Sequence, residues 1–442
     1  MISNTSNRDH CDVFVIGGGP AGTTIATLLA NRGLDVVLAE KDHHPRFHIG
    51  ESLLPANLEL FERLGVLAEV EEIGIRKYGA EMNSPLHDEP TMLNFADAWD
   101  SSYPYAYQVR RSELDKILFD HCASSGARAM QGCRVTSVAF PPGETVNVTT
   151  ASREQGERRW RARYLVDASG RDTFLANRVS GKRRNPRHTS AALYAHFTGA
   201  SRLPGEAEGN ISLYWFEHGW FWLIPLLDGT TSVGVVCNPG YLRGRKTDPS
   251  QFLLDTIALC PRLSARLTGA KLVTEATATG NYSYVSQRMT GDRYILIGDA
   301  YAFVDPVLSS GVFLAMQGAF MAADVVQTCL DNPSGANRQK RRFEKAVRHG
   351  LGHFSWFVYR MTRPAIRSLF MAPRNTLRMR EALMSLLAGD LYRGTPIYGS
   401  IFAFKAVYYV TSLLGFRQSL RAWRDARATL RASSSDRPET TI

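Results

Sequence analysis

Asp12-Val13-Phe14-Val15-Ile16-Gly17-Gly18-Gly19-Pro20-Ala21-Gly22 carries three signals in one short run. The apolar residues read as a buried strand, the glycines as a tight turn, and Pro20 as the first position of a helix. Helical periodicity continues over Pro20–Arg32, Gly33 ends it, and Asp35–Glu40 reads as a second strand. Strand, helix and strand at this spacing predict a βαβ unit and hence a parallel sheet. The glycines form a GxGxxG at the turn. Gly17 permits the tight bend, Gly19 lets the backbone approach a pyrophosphate with no Cβ in the way, and Gly22 allows close helix–sheet packing, with Gly18 and Ala21 between them. The helix start offers unpaired N–H groups and a positive dipole end to that anion. Glu40 closes the second strand 18 residues past Gly22, where a carboxylate can accept both hydroxyls of an adenosine ribose. NAD and FAD satisfy this fingerprint equally.

The 442 residues are 44% hydrophobic and 21% charged, a balance that excludes a disordered, collagenous or disulfide-stapled chain. The net charge of +10 is local: from Arg338 onward there are 20 Lys and Arg against 6 Asp and Glu, so an acidic partner belongs there. Cys11, Cys122, Cys133, Cys237, Cys260 and Cys329 are irregularly spaced with no CxxC pair, which argues against a metal site or a disulfide framework and for a reducing cytoplasm. No signal-peptide pattern opens the chain. Ile397–Phe416 is long and apolar, but Lys405 sits centrally, where a charge costs about 2.5–3.5 kcal/mol in a membrane-spanning helix.

Later segments narrow the cofactor. Arg163–Gly170 reads as a strand running into a glycine turn, and Arg293–Ala300 as a buried strand ending in Gly298-Asp299, followed by Asp305-Pro306 and a helix from about Gly311. Asp299 at a strand end beside a helix start suits a ribityl chain and a flavin ring. Between them, alternating residues at Ala191–Thr198, Ile211–Phe216 and Thr231–Cys237 predict an antiparallel sheet inserted over roughly 181–280. The expectation is an α/β fold: a Rossmann-type module over 10–340 carrying that sheet, then a basic helical region over 341–442 whose polar tail, from about 433, is expected to be disordered.

With Gln108-Val109-Arg110-Arg111 ahead of a helix, these segments resemble the FAD-dependent aromatic monooxygenase superfamily over about residues 12–325. The resemblance implies that Arg111 touches the flavin and Arg110 fills a variable place. Three further features resemble the flavin-dependent halogenases that act on phenols and pyrroles. Trp220-Phe221-Trp222-Leu223-Ile224-Pro225 matches their WxWxIP pattern, implying that Trp220 and Trp222 wall the path between flavin and organic substrate; two core tryptophans on one strand face are the plainer alternative. Lys77, in Gly74–Met82, matches their active-site lysine. On a strand it would share a face with Ile75 and Gly79, with a solvated lysine beside Arg76 as the alternative. Asp305–Val312 resembles their halide segment, implying that the amides of Ser310 and Gly311 hold chloride or bromide and that Val312 lies against the flavin. Gly50-Glu51-Ser52-Leu53-Leu54-Pro55 also resembles halogenase sequence, with no role readable for Glu51.

The resemblance implies a chain of events: hypohalous acid forms from oxygen and halide at reduced FAD, passes Trp220 and Trp222, and is held by Lys77 for delivery to an electron-rich ring. No second glycine-rich fingerprint offers NADH a site, so a separate flavin reductase is the expected partner. The substrate is an aromatic small molecule, free or tethered to an acyl or peptidyl carrier protein. Aromatic hydroxylation and lipid or isoprenoid reduction remain alternatives on the same flavin fold, and a flavin-binding protein without chemistry a further one. The arginine-rich C-terminal region reads first as helices capping the pocket with solvated arginines, and otherwise as a dock for an acidic carrier or a peripheral membrane segment. Nothing accompanies the charge that would suit nucleic acid.

Overall fold

Strand His10–Ile16 lies between two parallel neighbours, Val36–Ala39 and Gly156–Asp167, in the computed structural model, which describes residues 9–143, 145–184, 189–280, 283–392 and 395–414. The sheet extends outward to Arg128–Met130 on one side and Tyr294–Leu296 on the other, all parallel. Both faces of the central strands are covered, which is why Val13–Ile16 is a continuous apolar run and not an alternating one. Helices Pro20–Ala30 and Gly311–Asp331 pack on each other against this Rossmann-type sheet. The expected elements are present with shorter bounds: the first helix ends at Ala30, and the strand expected at Arg293–Ala300 covers Tyr294–Leu296 before a tight turn at Gly298–Ala300. The tail expected to be disordered lies outside the described residues.

The second sheet is mostly antiparallel, in the order Lys271–Leu272, Ala191–Thr198, Thr230–Cys237, Gly219–Pro225, Ile211–Phe216, Gly79–Asn83, Thr91–Asn94. Its last two strands come from well before residue 181, because Gly79–Asn83 joins Ile211–Phe216 by parallel pairing. Period-two alternation sorts the side chains. Tyr194, Trp220, Trp222 and Ile224 enter the larger core beneath the C-terminal helices, while Leu193, Phe221, Leu223 and Val235 pack on the opposite face against helix Pro249–Ala258.

After Gly311–Asp331 the chain is helical: Pro333–Val358, Pro364–Met371, Met379–Ala388 and Ile397–Leu414. Asn332 starts the first of these by accepting a hydrogen bond from Gly335 N, and Pro333 supplies a first position needing no donor. Phe354, Phe357, Met361, Ile366, Phe370, Leu383 and Ile401 bury into the same core as the two tryptophans, so the basic region is docked on the cavity side of the second sheet.

Candidate active site

The glycine turn is built so tightly that side chains could not enter it. A Cβ on Gly17, whose φ is +99°, would lie 2.5 Å from Ala168 O, and one on Gly22 would lie 1.9 Å from Gly17 O. At Gly19 the nearest atom would be 3.6 Å away, so that position opens onto space. The space is a cavity of about 640 Å³ running from Gly17, Gly19, Pro20 and Ala21 past Glu40, Arg46 and Ser169 to Arg111, Asp299 and Val312, under Tyr194, Trp220 and Trp222. Its size and its mix of apolar walls with few polar groups suit a large cofactor. Glu40 is buried beside the turn: one carboxylate oxygen accepts from Gly18 N at 2.7 Å and the other from Asp42 N at 3.0 Å. Gly18 and Gly22 shape the loop from behind and do not border the cavity. The cradle has the size and the lining to take FAD, with Gly17, Gly19, Glu40 and Asp299 all on its wall.

Arg111 is the buried arginine of its pair. It forks onto Asp115 at 2.9 and 3.1 Å and donates to Ile49 O at 3.1 Å, which pins the segment Ile49–Ser52 along the cavity wall. Arg110 faces outward to Asp228 and Thr230. Asp299 borders the cavity, yet the protein around it excludes enough water to push its carboxyl up to about 6, against the pull of Arg171 and Arg111.

In the same wall the structure brings together a pair that sequence reading did not find. Glu51 Oε1 lies 2.9 Å from His196 Nε2, both residues are about 98% shielded from solvent, and Glu51 Oε2 has no hydrogen-bond partner. A buried carboxylate oxygen without a partner, on a residue that lines the cofactor cavity, is unusual in a folded protein. The alternation of Ala191–Thr198, which points Ala192, Tyr194 and His196 toward one face, was the available signal for His196. Nothing local marked its partner 145 residues away.

Trp220 and Trp222 stand side by side in the cavity roof, ring centroids 5.9 Å apart. Trp222 lies flat over Gly234 of the adjacent strand, where a Cβ would come within 2.2 Å of the ring, and its indole N–H reaches Ser232 Oγ at 3.2 Å. Trp220 also borders a second, outer groove of about 1120 Å³ lined by Tyr214, Trp215, Arg363 and Arg367, so its ring stands between that groove and the cofactor cavity.

Lys77 is buried at 2% exposure, which removes the reading of a solvated strand lysine; Arg76 is the exposed charge. It does not share a continuous strand with Gly79. Strand Gly74–Lys77 ends there, Asn210 Oδ1 accepts from both Tyr78 N and Gly79 N at 2.8 Å, and the chain re-enters the second sheet at Gly79. Lys77 thus sits at the joint between two sheets. Its Nζ donates to Ser52 Oγ at 2.9 Å and Leu53 O at 3.1 Å, and lies 5.1 Å from the Phe95 ring. Burial with no carboxylate partner pushes its pKa down to about 7. Lys77 lines its own chamber of about 30 Å³, closed on the far side by Met361, Phe370 and Leu387, and this chamber shares Ile211, Val307 and Ser309 with the large cavity. That is space for about one or two water-sized molecules.

Helix Gly311–Asp331 starts at the cavity edge. Ser309 (φ +55°), Gly311 and Val312 border the cavity, while Ser310 is buried and contributes to a separate small void behind it. Of the two residues expected to offer amides to a halide, Gly311 borders the cofactor cavity and Ser310 does not. Asp305 anchors the segment by accepting from Ser190 Oγ at 2.9 Å.

Residues 10–333 match the FAD binding domain family. The chain is 28% identical over 414 residues to the 1H-pyrrole-2-carbonyl-[peptidyl-carrier protein] chlorinase of Pseudomonas fluorescens, covering 88% of this chain and 91% of that one. It is 32% identical over 368 residues to a flavin-dependent halogenase of Penicillium aethiopicum, covering 77% and 68%. Among solved structures, the myxobacterial chondrochloren halogenase superposes with a TM-score of 0.77 at 32% identity, over 92% of this chain and 97% of that one. A fingerprint that cradles FAD, matched along most of its length with relatives that carry halogenase activity, places this chain in the flavin-dependent halogenase family.

Proposed function

We propose that this halogenase passes hypohalous acid through Lys77 to an electron-rich aromatic ring, a phenol, resorcinol or pyrrole, either free or held on a carrier protein. The observation that carries the reading is the burial of Lys77 in a chamber adjoining the cofactor cavity, with its pKa lowered to about 7. An amine part-neutral near physiological pH can take a halogen from hypohalous acid, releasing water, and later give it up to the ring. Reduced FAD, supplied by a separate flavin reductase, provides the oxygen chemistry that turns chloride or bromide into hypohalous acid.

The chain's own residues do the rest. Gly17, Gly19, Ala21, Glu40, Arg111, Asp299 and Val312 hold the cofactor, with Gly18 and Gly22 shaping the turn. The amides of Ser310 and Gly311, at the positive start of a long helix, hold the halide. Trp220 and Trp222 separate the cofactor from the organic substrate, so that only a small oxidant crosses. The carrier-tethered option rests on similarity to the pyrrole-2-carbonyl-carrier chlorinase.

Turnover with FAD, a flavin reductase and NADH on a panel of phenols and pyrroles, with and without halide, tests this by mass spectrometry. A halogen mass shift that needs halide and vanishes in Lys77→Ala is expected. Gain of one oxygen regardless of halide, unaffected by the substitution, would overturn it in favour of hydroxylation.

A further inference from the structure

Helix Ile397–Leu414 has two faces of different fate. Ile397, Ile401, Phe404 and Tyr408 are buried in the core, and Phe404 packs on Phe357 at 5.3 Å. On the opposite side Phe402, Tyr409, Val410, Leu413 and Leu414 are 75%, 50%, 56%, 72% and 86% exposed. The spacing of one and two turns puts them on a single stripe. They are five of the fifteen large exposed apolar side chains among the described residues, so the concentration on one helix is not the ordinary scatter of a soluble surface.

The margin of the stripe is aromatic and cationic. Trp356 lies edge-on to Tyr409 at 6.3 Å, the Arg360 guanidinium sits over the rings of Trp356, Tyr408 and Tyr409 at 4.5, 5.6 and 5.9 Å, and Lys405 Nζ lies 5.2 Å from Trp356. The helix has no acidic residue in its sequence, and residues 415–442 add six arginines against three acidic residues. Trp and Tyr beside Arg and Lys, bordering bare aliphatic side chains, are the composition that favours the boundary between acyl chains and headgroups.

We propose that this face docks on an anionic lipid surface. The helix lies along the bilayer with Phe402, Val410, Leu413 and Leu414 in the acyl boundary and the cations on the headgroups. It cannot cross, because its other face is committed to the protein core. Charge separates lipid from the competing occupant: a second copy would bring two cationic margins together, whereas anionic headgroups neutralise them.

The test is flotation of the full-length, FAD-loaded protein with vesicles of phosphatidylglycerol and phosphatidylcholine, and with phosphatidylcholine alone. Binding to the anionic vesicles is expected, at least tenfold weaker on phosphatidylcholine and equally weakened in the F402S/L413S/L414S variant, with flavin binding unchanged as the check on folding. No flotation with anionic vesicles, or flotation that the triple variant retains, overturns the proposal. So does a dimer in sedimentation equilibrium that the same variant dissociates, since a second copy would then cover the stripe.

Discussion

Lys77 Nζ donates to Ser52 Oγ at 2.9 Å, and Ser52 borders the cofactor cavity, so a single residue joins the amine to the wall of the FAD site. Arg111 holds the same segment in place through Ile49 O. Amine and cofactor site are thus connected through a short strap that the arginine fixes, so a shift of the strap moves the surroundings of both.

Lys77→Ala is expected to lower halogenated product by about 100-fold or more, the usual order for loss of a positioned reacting group, while leaving FAD affinity within about twofold. Product mass spectrometry beside flavin fluorescence titration separates the two. Equal loss of both would reduce Lys77 to a structural role.

The same residue fixes a pH dependence of stability. Its folded pKa, about 7, lies well below that of an unfolded lysine, so the folded state binds fewer protons between about pH 7 and 10 and stability rises with pH across that window. Below pH 7 the buried ammonium carries its full cost. Against Lys77→Met, which removes the titration, the wild type should gain about 2 kcal/mol or more between pH 6 and pH 10 in urea unfolding. A pH-independent difference would contradict the lowered pKa.

Trp220→Ala is expected to join the outer groove to the cofactor cavity, since Trp220 borders both. Peroxide released per NADH consumed should rise severalfold while halogenated product falls. Gly234→Ala should act at Trp222 from behind, because its Cβ would need the space of the indole ring, at a cost of about 1–3 kcal/mol in stability. Oxidase assays and thermal unfolding check the pair.

The glycine turn and Glu40 were legible because each rests on a local rule, a turn that excludes Cβ atoms and a strand end, whereas the places of Arg111, Trp220 and Trp222 on the cavity wall were legible only through short family patterns. What escaped is non-local. Gly79–Asn83 pairs in parallel with Ile211–Phe216, more than a hundred residues later, and no local pattern announces a pairing at that distance. Glu51 and His196 meet for the same reason, and so do Met361, Phe370 and Leu387 over Lys77. The sequence also gives no warning that Gly311 borders both the cofactor cavity and the small void behind it while Ser310 borders only the void, because neighbours at a helix start diverge by about 100° of rotation.

Gly311→Ala tests the halide position without disturbing the fold. Nothing lies within 4 Å of the added methyl, and a helical Gly→Ala exchange stabilises by up to about 1 kcal/mol. The expected signature is a halide KM raised about tenfold with unfolding unchanged or improved, read from product formation against bromide concentration.

Asp299→Asn should separate cofactor binding from apo stability. With its folded pKa raised to about 6, the wild-type carboxyl contributes most below about pH 4, and that stability is lost as pH rises through 6. The flavin-free variant should therefore be more stable than wild type by about 1–2 kcal/mol at pH 8 and equal to it near pH 4, while FAD affinity falls about tenfold. Urea unfolding and flavin titration at both pH values check this.

The chamber around Lys77 is too small for an aromatic ring, and that orders events in time. On the proposed route a small oxidant would be taken up before any organic molecule arrives, so loading and use would become separate moments at a chamber walled in part by Met361, Phe370 and Leu387. Selectivity would then start as a matter of scheduling: on that route the ring that gets the halogen would be the one that reaches Lys77 while the halogen is still held there.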